Sequence, residues 1–84
     1  MAEEELVGKV IHYYDQIMVA VVALGKALRV GDTIRLAGKD AAFTQAVSSM
    51  QLEHKPVEEA KKGAEVAIKV DQPVKRGWQI FKPS

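Results

Sequence analysis

The chain contains no cysteine, which removes disulfide stapling and thiolate metal ligation and fits a reducing cytoplasm. No asparagine occurs either, so the N-glycosylation sequon is absent. Apolar runs are short: the longest, Ile17–Leu24, has eight residues, against the roughly 20 that cross a bilayer as a helix. The leading stretch Met1–Leu6 is acidic where a secretory signal would be basic. Together these absences predict an unexported, cytoplasmic protein with no membrane contact. Charge of one sign is lacking too, with 12 Lys plus Arg against 11 Asp plus Glu and a net charge of +1.

Length then bounds what the chain can do. Eighty-four residues make one small domain, with a radius of gyration of roughly 12 Å and only about 60% of its unfolded surface buried. A core of that size leaves little wall for a deep cleft of about 300–1,000 Å³. The expectation is a non-enzymatic protein that needs no cofactor. Glu3, Glu4 and Glu5 mark residues 1–5 as an acidic tail, and residues 6–84 form the domain. Within Ala60–Ser84 six bases, Lys61, Lys62, Lys69, Lys75, Arg76 and Lys82, face two acids, Glu65 and Asp71. That basic end is mild beside the pI above 9 typical of nucleic-acid binders, since the whole chain has a pI near 8.0.

Glycine and proline punctuate the sequence too often for ordinary helices. Leu6–Tyr14 and Ile17–Leu24 are rich in β-branched, aliphatic and aromatic residues and read as strands joined by a short Asp15-Gln16 gap. Arg29–Asp32 is a turn, Thr33–Ala37 a strand, and Gly38–Asp40 another turn. Phe43–His54 reads as a long strand whose alternation slips at Ser48-Ser49, the signature of a β-bulge. Pro56–Lys62 suits one or two helical turns ending at Gly63. Ala64–Val70 alternates cleanly, and Gln79–Lys82 closes the chain after a Lys75-Arg76-Gly77 turn. Six short strands divided by turn signals predict an all-β fold, closed as a small barrel to hide its edges. Gly31 and Gly63 suit backbone conformations open mainly to glycine, and Asp32 can bond backbone within its own turn.

The order of these signals resembles a known barrel. Leu28–Ile34, Val47–Gln51, Val57, Ala60, Gly63, Val66, Ile68, Val74–Gly77 and Lys82-Pro83 are similar to the second domain of elongation factor Tu, a six-to-seven-stranded Greek-key barrel. With Gly8–Tyr14 and Ser49–Val57 added, the chain looks more like the barrel appended to the carboxyl end of collagenase-like peptidase family proteins. The resemblance covers about residues 6–83. It implies a translation-factor type of barrel that contacts transfer RNA, ribosomal RNA or a neighbouring domain. GTP is not implied: of the three Gly-Lys pairs, Gly25-Lys26 has Ala20 where a phosphate loop needs glycine and Ala27 where it needs Ser or Thr, and Gly8-Lys9 and Gly38-Lys39 fail at the same two positions. The elongation-factor pattern also places a Gly-Arg pair where Val21 and Val22 stand, so no acceptor-end pocket carries over.

Two candidate surfaces remain. Lys75, Arg76, Trp78 and Lys82 crowd the last strand in the basic, aromatic-interleaved manner of small RNA-binding barrels, with tRNA or rRNA as the ligand. Ile17–Leu24 is apolar on both faces, one row holding Met18, Ala20, Val22 and Leu24 and the other Ile17, Val19, Val21 and Ala23. One row lines the core, and the other meets solvent, a homodimer mate or a separate catalytic subunit. The row Met18, Ala20, Val22 and Leu24 is the candidate partner surface. His12 and His54, far apart in sequence and without other ligands nearby, predict no metal site.

Overall fold

Alternation of apolar and polar side chains along nearly every segment is what builds the sheet. The computed structural model describes residues 4–39 and 41–83, and among them there is no helix. The strands are β1 (Glu4–Tyr14), β2 (Val19–Leu24), β3 (Leu28–Arg29), β4 (Thr33–Ala37) and β5 (Ala42–Ala46), then β6 (Met50–Leu52), β7 (Lys55–Pro56), β8 (Glu59–Ala60), β9 (Glu65–Lys69) and β10 (Gln79–Pro83). Eight form one sheet in the order β5-β4-β10-β1-β2-β9-β6-β7, and β3 and β8 pair separately. All pairings are antiparallel. The fold is thus the expected all-β small barrel. Val10, Val22, Ile34, Leu36, Ile68 and Ile80 fill its interior at 1% exposure or less.

The sheet curls because β5, at one end, is followed directly in sequence by β6, next to the other. Residues 47–49 carry the chain across. Val47 is buried there, its N–H donating to Asp32 O and its carbonyl accepting from the Gly31 N–H, both at 2.8 Å. The slip at Ser48-Ser49 is therefore a corner between two strands rather than a bulge within one, a place where the chain leaves one sheet end for the other. Gln45 fastens the seam. Its Nε2 donates to Lys69 O at 2.9 Å and its Oε1 accepts from the Asp71 N–H at 2.8 Å, so a side chain bridges where no backbone ladder runs.

Three further expectations change. Pro56–Ala60 is extended and Lys61–Ala64 is a turn closed by the Ala64 N–H on Lys61 O, because the backbone finds partners outside the segment: Val57 N–H donates to Met50 O, Glu58 O accepts from Val30 N–H, and Ala60 pairs with Leu28. A helix of one or two turns could not match those bonds. Glu4 and Glu5 belong to β1, paired with Pro83 and Lys82, rather than to a tail; Glu3 lies outside the described residues, as does Asp40 of the second turn. The β1–β2 connection spans Asp15–Met18, with Met18 at φ 55°; this removes Ile17 from the strand and brings Met18 Sδ within 3.1 Å of the Tyr13 hydroxyl, which donates to it. Gly31 and Gly63 do occupy positive φ, 97° and 90°, and Asp32 Oδ2 accepts from the Arg29 N–H at 3.0 Å.

Candidate functional site

β2 lies between β1 and β9, and its neighbours decide which row turns inward. Val22 stands opposite Val10 and Val66, and Ala20 opposite Tyr13 and Ile68. These are apolar on both sides, so Ala20, Val22 and Leu24 enter the core and Met18 packs half-buried against it. The candidate partner row is therefore core, and the outward row is the opposite one. Val19, Val21 and Ala23 stand among Tyr14, His12 and Lys9 on β1 and Lys69, Ala67 and Glu65 on β9. An irregularity in β1 between Val10 and His12 makes this possible: Ile11 is the extra residue, so Lys9 and, beyond it, His12 and Tyr14 all share the outer face.

That face holds an open groove of about 820 Å³. Val19, Val21 and Ala67 form its floor, Tyr14 and Ile17 one end, and Glu53, His54 and Glu65 the other. Tyr14 is 50% exposed and Ile17 61% exposed, and the His12 and Tyr14 rings meet edge to face at 4.4 Å. The far rim is the β6–β7 hairpin, whose two tip residues, Glu53 and His54, both lie at positive φ, 53° and 66°. That turn ordinarily takes Asn-Gly, because non-glycine residues are disfavoured there.

A second groove of about 710 Å³ runs beside the last turn. Lys75, Arg76 and Trp78 line it together with Lys39, which the sequence does not single out because it sits 36 positions upstream. Trp78 is half-buried, its ring tilted against Phe43 at 6.2 Å between centroids. A Cβ at Gly38 would overlap the indole, so glycine is what lets the ring lie flat on the β4–β5 turn. Lys75, Arg76 and Lys39 are exposed and, among the described residues, make no ion pair.

Lys82 does not join them. It sits four residues along the strand from Trp78, where its Nζ is 3.1 Å from Asp32 Oδ2. Partial burial pushes the Asp32 carboxyl up, but hydrogen bonds from Lys82 and from the Arg29 N–H outweigh this and hold it below its usual value. On the neighbouring strands Arg35 hydrogen-bonds Glu4, which lowers the Glu4 pKa and raises that of Arg35, and its guanidinium lies 5.1 Å from the Phe81 ring centre. Lys82 and Phe81 are thus engaged by the fold itself.

The geometry defines the class first: a small all-β barrel carrying two open surface grooves. The comparisons narrow it. No family model matches the chain. It is 38% identical over 76 residues to an uncharacterized protease of Methanocaldococcus jannaschii, a match covering 89% of this chain and 19% of the relative. The chain therefore spans about a fifth of that relative's length. Two crystal structures of the C-terminal domain of a putative U32 peptidase from Geobacillus thermoleovorans share its fold. The selenomethionine variant aligns at a TM-score of 0.88 and 25% identity over 93% of this chain and 99% of that one. The other aligns at 0.87 and 23% identity over 95% and 92%. These likenesses support the barrel appended to peptidases and lend no support to the elongation-factor attribution. No described helix is long and apolar enough to cross a membrane.

Proposed function

We propose that the chain is a non-catalytic accessory module of the peptidase-appended type that works by protein contact, through the outward face of β1, β2, β9 and β6. The observation that carries this reading is the groove floored by Val19, Val21 and Ala67, an apolar strip on the outside of a barrel whose interior is already filled. An exposed apolar patch rimmed by polar groups is the usual mark of a contact surface. The likeness to a C-terminal domain, and the much greater length of the archaeal relative, support a piece that acts beside another body. A photo-crosslinking amino acid at position 21, expressed in the native cell, tests it. Protein adducts that survive ribonuclease are expected; no adduct from position 21 would overturn the reading.

A second reading has its own observation. The Trp78 groove gathers Lys39, Lys75 and Arg76 around a half-exposed indole, which suits weak binding of single-stranded RNA such as the ends or loops of tRNA or rRNA. Three phosphate contacts on a single strand give a log–log salt slope near −2, from about −0.7 per contact. Fluorescence anisotropy with an oligouridine probe should show that slope, flattened in a Lys75→Ala/Arg76→Ala variant. No binding at low salt removes this reading.

A further inference from the structure

We infer that the occupant of the outward face is a second copy of this chain, seated about a two-fold axis through the Val21–Ala67 centre; this rests on the protein-contact reading above. The groove has a polarity along its length. Register places Val19 beside Lys69, Val21 beside Ala67 and Ala23 beside Glu65, and Gln51 on β6 opposite Ala67. The antiparallel course of β6 carries Glu53 to the Glu65 end. One end of the groove is thus acidic, with Glu53 and Glu65, and the other basic, with Lys69. None of the three makes an ion pair among the described residues. Lys69 lies four residue steps along β9 from Glu65, about 13 Å at roughly 3.3 Å per residue. That exceeds the Debye length of about 8 Å at physiological salt, so within one chain the two ends do little to neutralise each other.

A two-fold axis lying in the contact plane and perpendicular to β9 reverses one groove over the other. Glu65 of each copy then lies above Lys69 of its mate, and the contact is satisfied twice by one symmetry operation. The same reversal sets Tyr14 and Ile17 of each copy over the Glu53-His54 end of its mate, with the short side chains of Val19, Val21 and Ala67 between. Any other partner would need a matching reversed charge pattern; a second copy carries it by construction. His12, beside Tyr14, faces the same side, and His54 lies at the acidic end; Lys9 on β1, opposite Ala23, shares the outer face level with Glu65 but stands outside the groove's lining, as does Asp15 in the β1–β2 turn. Four strands at about 4.8 Å spacing by about 13 Å give a patch smaller than the roughly 800 Å² per partner of standard interfaces. The dimer is therefore weak, forming at high micromolar concentration.

Sedimentation equilibrium on the whole chain tests this. Wild type should dimerise reversibly, less so in 0.5 M salt. Lys69→Glu and Glu65→Lys should each weaken the dimer by about tenfold, since two attractive rim pairs become two repulsive ones. An equimolar mixture of these two single variants should then form a heterodimer, because one copy offers two acids and the other two bases, and the double variant should regain self-association. Unchanged circular dichroism spectra would show that all variants fold. A wild type that stays monomeric at several hundred micromolar, or a mixture that fails to recover, overturns the inference. If adducts from position 21 nonetheless identify a different protein, the protein-contact reading stands without the second copy; if position 21 yields none, both fall.

Discussion

The two rows of β2 are built from nearly the same side chains and meet opposite fates. Ala20, Val22 and Leu24 sit in the core, while Val19, Val21 and Ala23 sit half-exposed on the outside. Nothing in the composition of either row chooses between them. The choice is made by the strands on both sides: β9 alternates Val66 and Ile68 with Glu65, Ala67 and Lys69, and the register ties each β2 residue to one set or the other. An apolar strand thus gains an inside and an outside only from polar neighbours, because a one-residue slip would move the whole pattern to the other face.

The sharpest test of that contrast is one substitution on each row. Val22→Lys should unfold the protein, since an unpaired ammonium at a 0% exposed position costs about 5 kcal/mol or more, comparable to the whole stability of so small a domain. Val21→Lys, one residue away, should change stability by less than about 0.5 kcal/mol and act only on association. Thermal denaturation of both variants would show it, and equal losses would mean that the register is wrong.

The seam offers a middle-sized effect. Gln45→Ala removes the Nε2 donor to the Lys69 carbonyl and the Oε1 acceptor for the Asp71 N–H and should destabilise by about 2–3 kcal/mol. Urea denaturation should place the midpoint lower with an unchanged slope. A loss below about 0.5 kcal/mol would mean that water takes over the two bonds and that the barrel closes without its clasp.

Replacing Glu53-His54 by Asn-Gly should raise stability by about 1 kcal/mol, because it relieves two non-glycine residues of positive φ. The same change should weaken contact at the groove, whose rim those side chains form. A more stable protein with unaltered association would place the hairpin tip outside the contact.

The smallest effect concerns Asp32. Its carboxyl is held below its usual value in the folded state, so the stability it adds is present above the unfolded carboxylate pKa of about 4 and is lost as the pH falls through the lower folded value. Asp32→Asn should therefore flatten the acid limb of a stability–pH curve below about pH 4 by under 1 kcal/mol, the partly exposed Lys82 being screened. An unchanged acid limb would show that the pair contributes nothing.

Much of this was legible in the chain itself. Alternation marked β4 and β9 almost to the residue, glycine marked the turns at Gly31 and Gly63, and the basic turn at Lys75-Arg76 was visible beside Trp78. Pro56–Lys62 misled because Pro56 at its start and Gly63 after its end are local signals, whereas its real hydrogen bonds reach to Val30 and Met50. Lys39 was invisible as a member of the Trp78 groove, and Lys82 looked like one, for the same reason: strand pairing, not sequence distance, decides who is near.

The sequence by itself determined the all-β class, the positions of most strands and turns, and the existence of an apolar strand with one row too many. Local propensity, period-two alternation and glycine conformations set these, and each acts within a few residues. Only the tertiary structure decided which row of β2 is core, that Gln45 closes the seam, that Lys82 is held by Asp32, and that Glu65 and Lys69 stand at opposite ends of one groove. Those facts depend on register between strands distant in the chain, which no single segment encodes and which is selected only when the whole core packs at once.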